Sequence, residues 1–125
     1  MTTRIHLFDK DPNTQSFAAG TAIFRVGDAG SEMYVIRDGS VVISRGDVVL
    51  NTLTAGDIFG EMALIDGSPR SADATAGTDC VIVPVNAERF DRMVQITPHF
   101  ARTIMKVLTE RLRQRLPNLT EAGLT

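Results

Sequence analysis

An antiparallel, mainly β fold of the sandwich or jelly-roll type, with helices flanking its C-terminal end, follows from three features of this sequence. Gly20, Gly27, Gly39, Gly46, Gly56 and Gly77 punctuate short apolar runs at intervals that suit strands joined by turns. The runs Met33-Tyr34-Val35-Ile36 and Val41-Val42-Ile43 are dominated by β-branched and aromatic residues, which fit a pleated, partly buried surface. After Pro84 the composition changes and apolar residues begin to recur at helical spacing. Closure of such a sheet, full or partial, hides the strand edges that would otherwise be exposed.

The elements follow in chain order. Ile5-His6-Leu7-Phe8 is expected to form a small helical turn. Strands are expected over residues 14–18, 22–26, 32–37, 40–44, 48–53, 73–76 and 80–85. Asp38-Gly39 reads as a tight hairpin signal between the third and fourth of them, and Gly46-Asp47 turns the chain again. Asn86 is placed to cap a helix over residues 87–94, with Glu88 in its first turn. A second helix is expected over residues 98–116, because Phe100, Ile104, Val107, Leu108 and Leu112 recur at spacings of three and four while Arg102, Lys106 and Arg113 fall off that stripe. Pro117 ends it, and residues 118–125 read as a frayed tail.

With 125 residues the chain fits one domain, residues 1–125 with a core of about 14–115. Hydrophobic residues at 43% and charged residues at 22% are those of a globular protein, not of a disordered or fibrous one. A net charge of -2 gives no electrostatic reason to expect nucleic acid as a general partner. No apolar run reaches the length of a membrane span and residues 1–9 lack a signal-peptide core, so a cytoplasmic location and no membrane partner are expected. The single cysteine, Cys80, cannot close an internal disulfide and reads as a small core residue. His6 and His99 have too few ligands near them in sequence for a metal site, so no metal is expected.

Chemistry concentrates in residues 59–72, FGEMALIDGSPRSA. Arg70 presents a planar fork of donors that can hold two phosphate oxygens, and Glu61 can accept a hydrogen bond from a ribose hydroxyl. Gly60 removes a side chain where backbone must approach an anion, and residues 61–65 suit a short helical turn with its positive end there. Phe59, Met62, Leu64 and Ile65 read as core residues, and Arg111, Arg113 and Arg115 as a solvated helix end complementing the dipole.

The pattern FGEMAL followed by PRSA resembles the phosphate-binding cassette of cyclic-nucleotide-binding domains. The likeness continues in FAAGTAIF at residues 17–24, in Gly27-Asp28, in MYVIRDG at residues 33–39 and in GDIFGE at residues 56–61, and so covers most of residues 14–115. It implies a double-stranded β-helix, the eight-stranded jelly roll, in which the cassette lies between two strands and the last helix closes as a lid over the purine. It further implies that Arg70 binds the cyclic phosphate, that Glu61 binds the ribose 2′-hydroxyl, and that Gly60, Met62 and Ala63 line the backbone cradle. Ser71 stands where similar domains carry Ser, Thr or Ala beside phosphate and base, which does not decide between adenine and guanine. Asp73 departs from the pattern. Turned into the pocket its charge would oppose a phosphate, whereas strand alternation can place it outward.

Other functions are weighed against this one. A metal-dependent jelly-roll enzyme of the cupin type needs several histidines on neighbouring strands, and the strand region has none. Asp57, Glu61 and Asp66 lack an adjacent lysine or histidine base, so no catalytic role is expected. A DNA-reading module would have to follow the long helix, where nine residues remain after Leu116, so direct DNA binding by this chain is not expected. The expectation is a stand-alone sensor for a cyclic purine nucleotide, cAMP first and cGMP as the alternative, whose C-terminal helix responds to ligand. That helix could also pair with a second copy or a protein effector. The competing readings are a degenerate jelly roll used for interaction, and the sensor part of a transcription regulator.

Overall fold

The computed structural model of the chain describes residues 3–115. Among these lie strands β1 (Gln15–Phe17), β2 (Ala22–Phe24), β3 (Met33–Asp38), β4 (Ser40–Arg45), β5 (Val48–Thr54) and β6 (Ile58–Phe59), then helix α1 (Glu61–Asp66). Strands β7 (Asp73–Ala76) and β8 (Cys80–Val85) follow, and helices α2 (Ala87–Ile96) and α3 (His99–Arg115) complete the described chain. One antiparallel sheet has the order β1-β8-β3-β6 and the other β2-β7-β4-β5. This is the antiparallel two-sheet jelly roll with flanking helices.

Strand alternation explains why β3 and β8 are apolar on both faces. On β3, Ile36 joins β8 residues Cys80 and Ile82 in the core between the sheets, with Val41, Phe59 and Ala74. Met33 and Val35, with Val83 and Val85, point the other way into a second core against Ile5, Phe8, Phe100, Ile104 and Val107. The first sheet is thus covered on both sides, whereas β5 buries only Leu53.

Asp38-Gly39 does not make a hairpin. β3 pairs with β6 and β8, and β4 pairs with β5 and β7, so the chain crosses from one sheet to the other at that point. The sequence signal reports a left-handed turn residue, and Gly39 has φ 84° with the Asp79 carbonyl 2.2 Å from where a Cβ would stand. Such a turn does not specify which strand pairs next. Gly46-Asp47 is the true β4–β5 hairpin. Strand β6 escaped the sequence reading because two residues show no period.

Residues 7–10 form a single hydrogen-bonded turn, with Asp9 N donating to the His6 carbonyl at 3.2 Å and Asp11 N to the Phe8 carbonyl at 3.1 Å, and Ile5 N donates to the Gly56 carbonyl at 2.7 Å, which ties the segment to the β5–β6 turn. Asn86 caps α2 as expected, its Oδ1 accepting from Arg89 N at 2.8 Å. On α3 the buried stripe is Phe100, Ile104 and Val107, with Leu108 partly buried, but Leu112 is exposed. Arg111 takes the inward position one turn after Val107. Leu116, Pro117 and the tail expected over residues 118–125 lie outside the described residues.

Candidate functional site

Gly60, Glu61, Met62, Ala63, Arg70 and Ser71 all line one cleft of about 650 Å³, part of it open to solvent. The chain reaches this arrangement through the β6–α1 turn. Gly60 has φ 76°, a backbone angle that favours glycine, and a Cβ there would stand 2.7 Å from Arg70 Nη1 and push the guanidinium aside. Gly67, with φ 71°, ends α1, and its N–H donates to the Ala63 carbonyl.

Arg70 is 6% exposed. Its Nη1 donates to the carbonyls of Glu32 and Gly60, each at 3.0 Å, and the Phe24 ring centroid lies 4.2 Å from its Cζ. Among the described residues no carboxylate comes within ion-pair distance of it. Its Nε is buried and unpartnered. A buried cation with a donor to spare is costly unless an anion completes it, so the cleft fits a negatively charged group at this point. Beside it, burial first and then the Glu32 charge push the Tyr34 hydroxyl above its ordinary pKa.

Glu61 lies in the first turn of α1, with Oε1 accepting from Arg111 Nη1 at 3.1 Å. Arg111 Nη2 also donates to the Ile58 carbonyl. Arg111 is therefore a cleft residue and not part of a solvated helix end. The signal was present, because position 111 continues the three-and-four spacing from Ile104 and Val107, and an arginine on a buried stripe asks for a partner. Sequence reasoning also missed the wall opposite α1, formed by Phe24, Ile43, Asn51 and Leu53 from three strands.

Two residues expected in the core are elsewhere. Met62 is half exposed and lines the cleft, its sulfur 3.9 Å from the Ser71 hydroxyl, and Ile65 faces solvent. Phe59 is buried and Leu64 packs on the core. Asp73 does not line the cleft: its Oδ1 accepts from Val26 N at 2.8 Å, which holds the chain just after β2. Asp57 and Asp66 serve turns, accepting from Thr54 N and from the Ser68 amide and hydroxyl. The Ser68 hydroxyl and amide hold the Asp66 carboxyl below its ordinary range. Among the described residues there is no cluster of metal-ligating side chains, and no helix is long and apolar enough to cross a membrane.

Residues 14–97 match the family described as cyclic nucleotide-binding domain. Over 93 residues the chain is 40% identical to a cyclic nucleotide-gated potassium channel of Rhizobium etli, a match that covers 74% of this chain and 26% of the channel. Its fold is similar to the catabolite activator protein of Thermus thermophilus, with a TM-score of 0.76 over 88% of this chain and 54% of that one at 28% identity. It is also similar to an EAL enzyme solved in a cGMP-bound form, with a TM-score of 0.61 at 35% identity over 80% of this chain and 28% of the enzyme. The chain thus spans about a quarter of the channel and about half of the activator.

Proposed function

Because the chain belongs to the cyclic nucleotide-binding domain family, we propose that its cleft takes a cyclic purine nucleotide, cAMP in the first instance, as a regulatory ligand. The phosphate lies against Arg70, where Nε is left without a partner, and the ribose 2′-hydroxyl donates to Glu61. Gly60, Met62 and Ala63 supply the backbone wall, and the Ser71 hydroxyl stands beside the phosphate and base. The apolar side chains of Ile43, Leu53 and Met62 give the base a surface to lie on. The observation that carries this reading is the buried, unpaired Arg70 in a cleft whose other wall holds a carboxylate.

The output of binding is a change in α3. Arg111 links this helix to Glu61, so a ligand that engages Glu61 acts on the contact that docks α3. Calorimetric titration of the full chain with cAMP and cGMP tests the reading: saturable binding of either supports it, and a stronger affinity for cAMP supports the choice of base. The absence of heat with both would leave an interaction module of the same fold.

A further inference from the structure

Gly30 lies in the connection between β2 and β3, far in sequence from the cassette, yet its backbone packs directly on the Arg70 guanidinium. A Cβ built there would stand 2.4 Å from Nε, 2.5 Å from Cζ and 2.6 Å from Nη2. The Phe24 ring crowds the same group at 4.2 Å, and Tyr34 lies at 5.5 Å. The β2–β3 connection also holds the Arg70 main chain, with Arg70 N donating to the Asp28 carbonyl at 2.9 Å and Gly27 N donating to the Arg70 carbonyl at 2.8 Å. Arginine is long and rich in rotamers, so a guanidinium left loose would lose freedom each time an anion bound. Here that freedom is already lost.

We infer that Gly30 and Phe24 are positioning residues that form a sleeve around Arg70, fixing its guanidinium for an anion before one arrives. With Nη1 committed to two carbonyls, the sleeve holds the Nε edge in place, and the missing side chain at position 30 is what makes room for it. Gly30 is not among the glycines with positive φ, so its backbone accepts an alanine. The atoms such an alanine would strike are the far end of a flexible side chain, so the guanidinium and not the fold gives way. The inference rests on the cleft being the seat of a phosphate, and its test separates the two.

Two readouts on the full chain are required, comparing the wild type with Gly30→Ala. The first needs no ligand: the Arg70 Nε–H resonance in 15N–1H spectra should be distinct and slow to exchange in the wild type, and should collapse to solvent-exposed arginine values in Gly30→Ala. The second uses cAMP and cGMP as probes. Gly30→Ala should weaken binding by about tenfold or more, and should cost nothing further in an Arg70→Ala background. An unchanged Nε–H resonance, or a loss of affinity that simply adds to that of Arg70→Ala, overturns the inference. If the wild type binds neither nucleotide, the functional reading fails while the resonance still decides the sleeve. Should Gly30→Ala not fold, Phe24→Leu keeps an apolar side chain but removes the ring from the guanidinium, and is held to the same two outcomes.

Discussion

Arg111 Nη1 stands 3.1 Å from Glu61 Oε1, so the last described helix and the short cassette helix are joined through the carboxylate proposed to receive the sugar. Only 21% and 13% of the two side chains are exposed. Screening is weaker for such a pair than at an open surface, and its geometry is sensitive to anything that enters beside it. Arg111 bonds Oε1, so a ribose hydroxyl received at Oε2, as proposed, would make the sugar and the helix share one side chain.

A 2′-deoxy cyclic nucleotide should accordingly bind less well than its ribose form. The expected difference is about 1.5–3 kcal/mol, the contribution of a hydrogen bond to a charged group. Glu61→Ala should erase most of that preference while also freeing Arg111. Parallel titrations with the two ligands check this, and equal affinities in the wild type would remove Glu61 from sugar recognition.

Arg70→Ala should weaken cyclic-nucleotide binding by about 2–5 kcal/mol, because the phosphate keeps its desolvation cost and loses its cation. The variant should still fold, since Arg70 makes no ion pair with the described residues and the carbonyls of Glu32 and Gly60 can take water in its place. Titration together with a thermal melt separates loss of binding from loss of structure. Unchanged affinity in a folded variant would place the phosphate elsewhere.

Much of this architecture is legible in the sequence, and the exceptions have physical causes. β3 and β8 announce themselves because each is buried on both faces, and the cassette is compact enough in sequence for Gly60, Glu61 and Arg70 to be read together. Asp38-Gly39 misleads because a turn residue encodes a backbone angle, not the identity of the neighbouring strand. Hydrophobic periodicity puts Leu112 on the buried side in place of Arg111, because adjacent helix positions differ by about 100° and an apolar residue suits burial better than a charged one that has no visible partner in sequence. Nothing in the sequence marks Phe24 or Gly30 as a neighbour of Arg70, since a stacking ring and an absent side chain become functional only when the fold brings Arg70 to them.

Acid should destabilise the fold partly through Asp11. Burial alone would raise its pKa, but the hydrogen bond from Arg89, the Asn13 amide and the Arg89 charge together hold it below the ordinary 3.8. Arg89 also lies over the Phe8 ring at 5.0 Å, so the pair ties the N-terminal segment to α2. A carboxyl with a lowered folded-state pKa contributes stability above its unfolded pKa and loses it as pH falls through the folded one. Asp11→Asn should therefore cost about 1.5–3 kcal/mol at neutral pH and show a shallower loss of stability below about pH 4. Urea unfolding at several pH values measures both, and parallel curves for the two proteins would show that another group carries the acid response.

Saturating cyclic nucleotide should slow amide hydrogen exchange in residues 98–112 as well as in residues 59–71, with little change in the strands. The first described part of α3 is anchored by Phe100, Ile104 and Val107 in the core, and by Phe100 against Phe8 and Phe90. Its later turns depend on fewer contacts. Arg111 holds Glu61, and Glu110 accepts from the Thr3 amide at 2.8 Å and the Thr3 hydroxyl at 2.7 Å. A helix fixed firmly at one end and by a few polar contacts at the other opens locally from the weaker end, which places its exchange within reach of a ligand. The Thr97 junction between α2 and α3, where φ is −129° and ψ is 79°, is non-helical and offers a hinge for larger movement. On the proposed reading, a nucleotide that engages Glu61 beside Arg111 would stabilise the docked position, and the protection should extend along α3 toward its later turns. Arg111→Ala should abolish the added protection in the helix while preserving it in the cassette. Protection confined to residues 59–71 in the wild type would mean that the ligand binds without operating the helix.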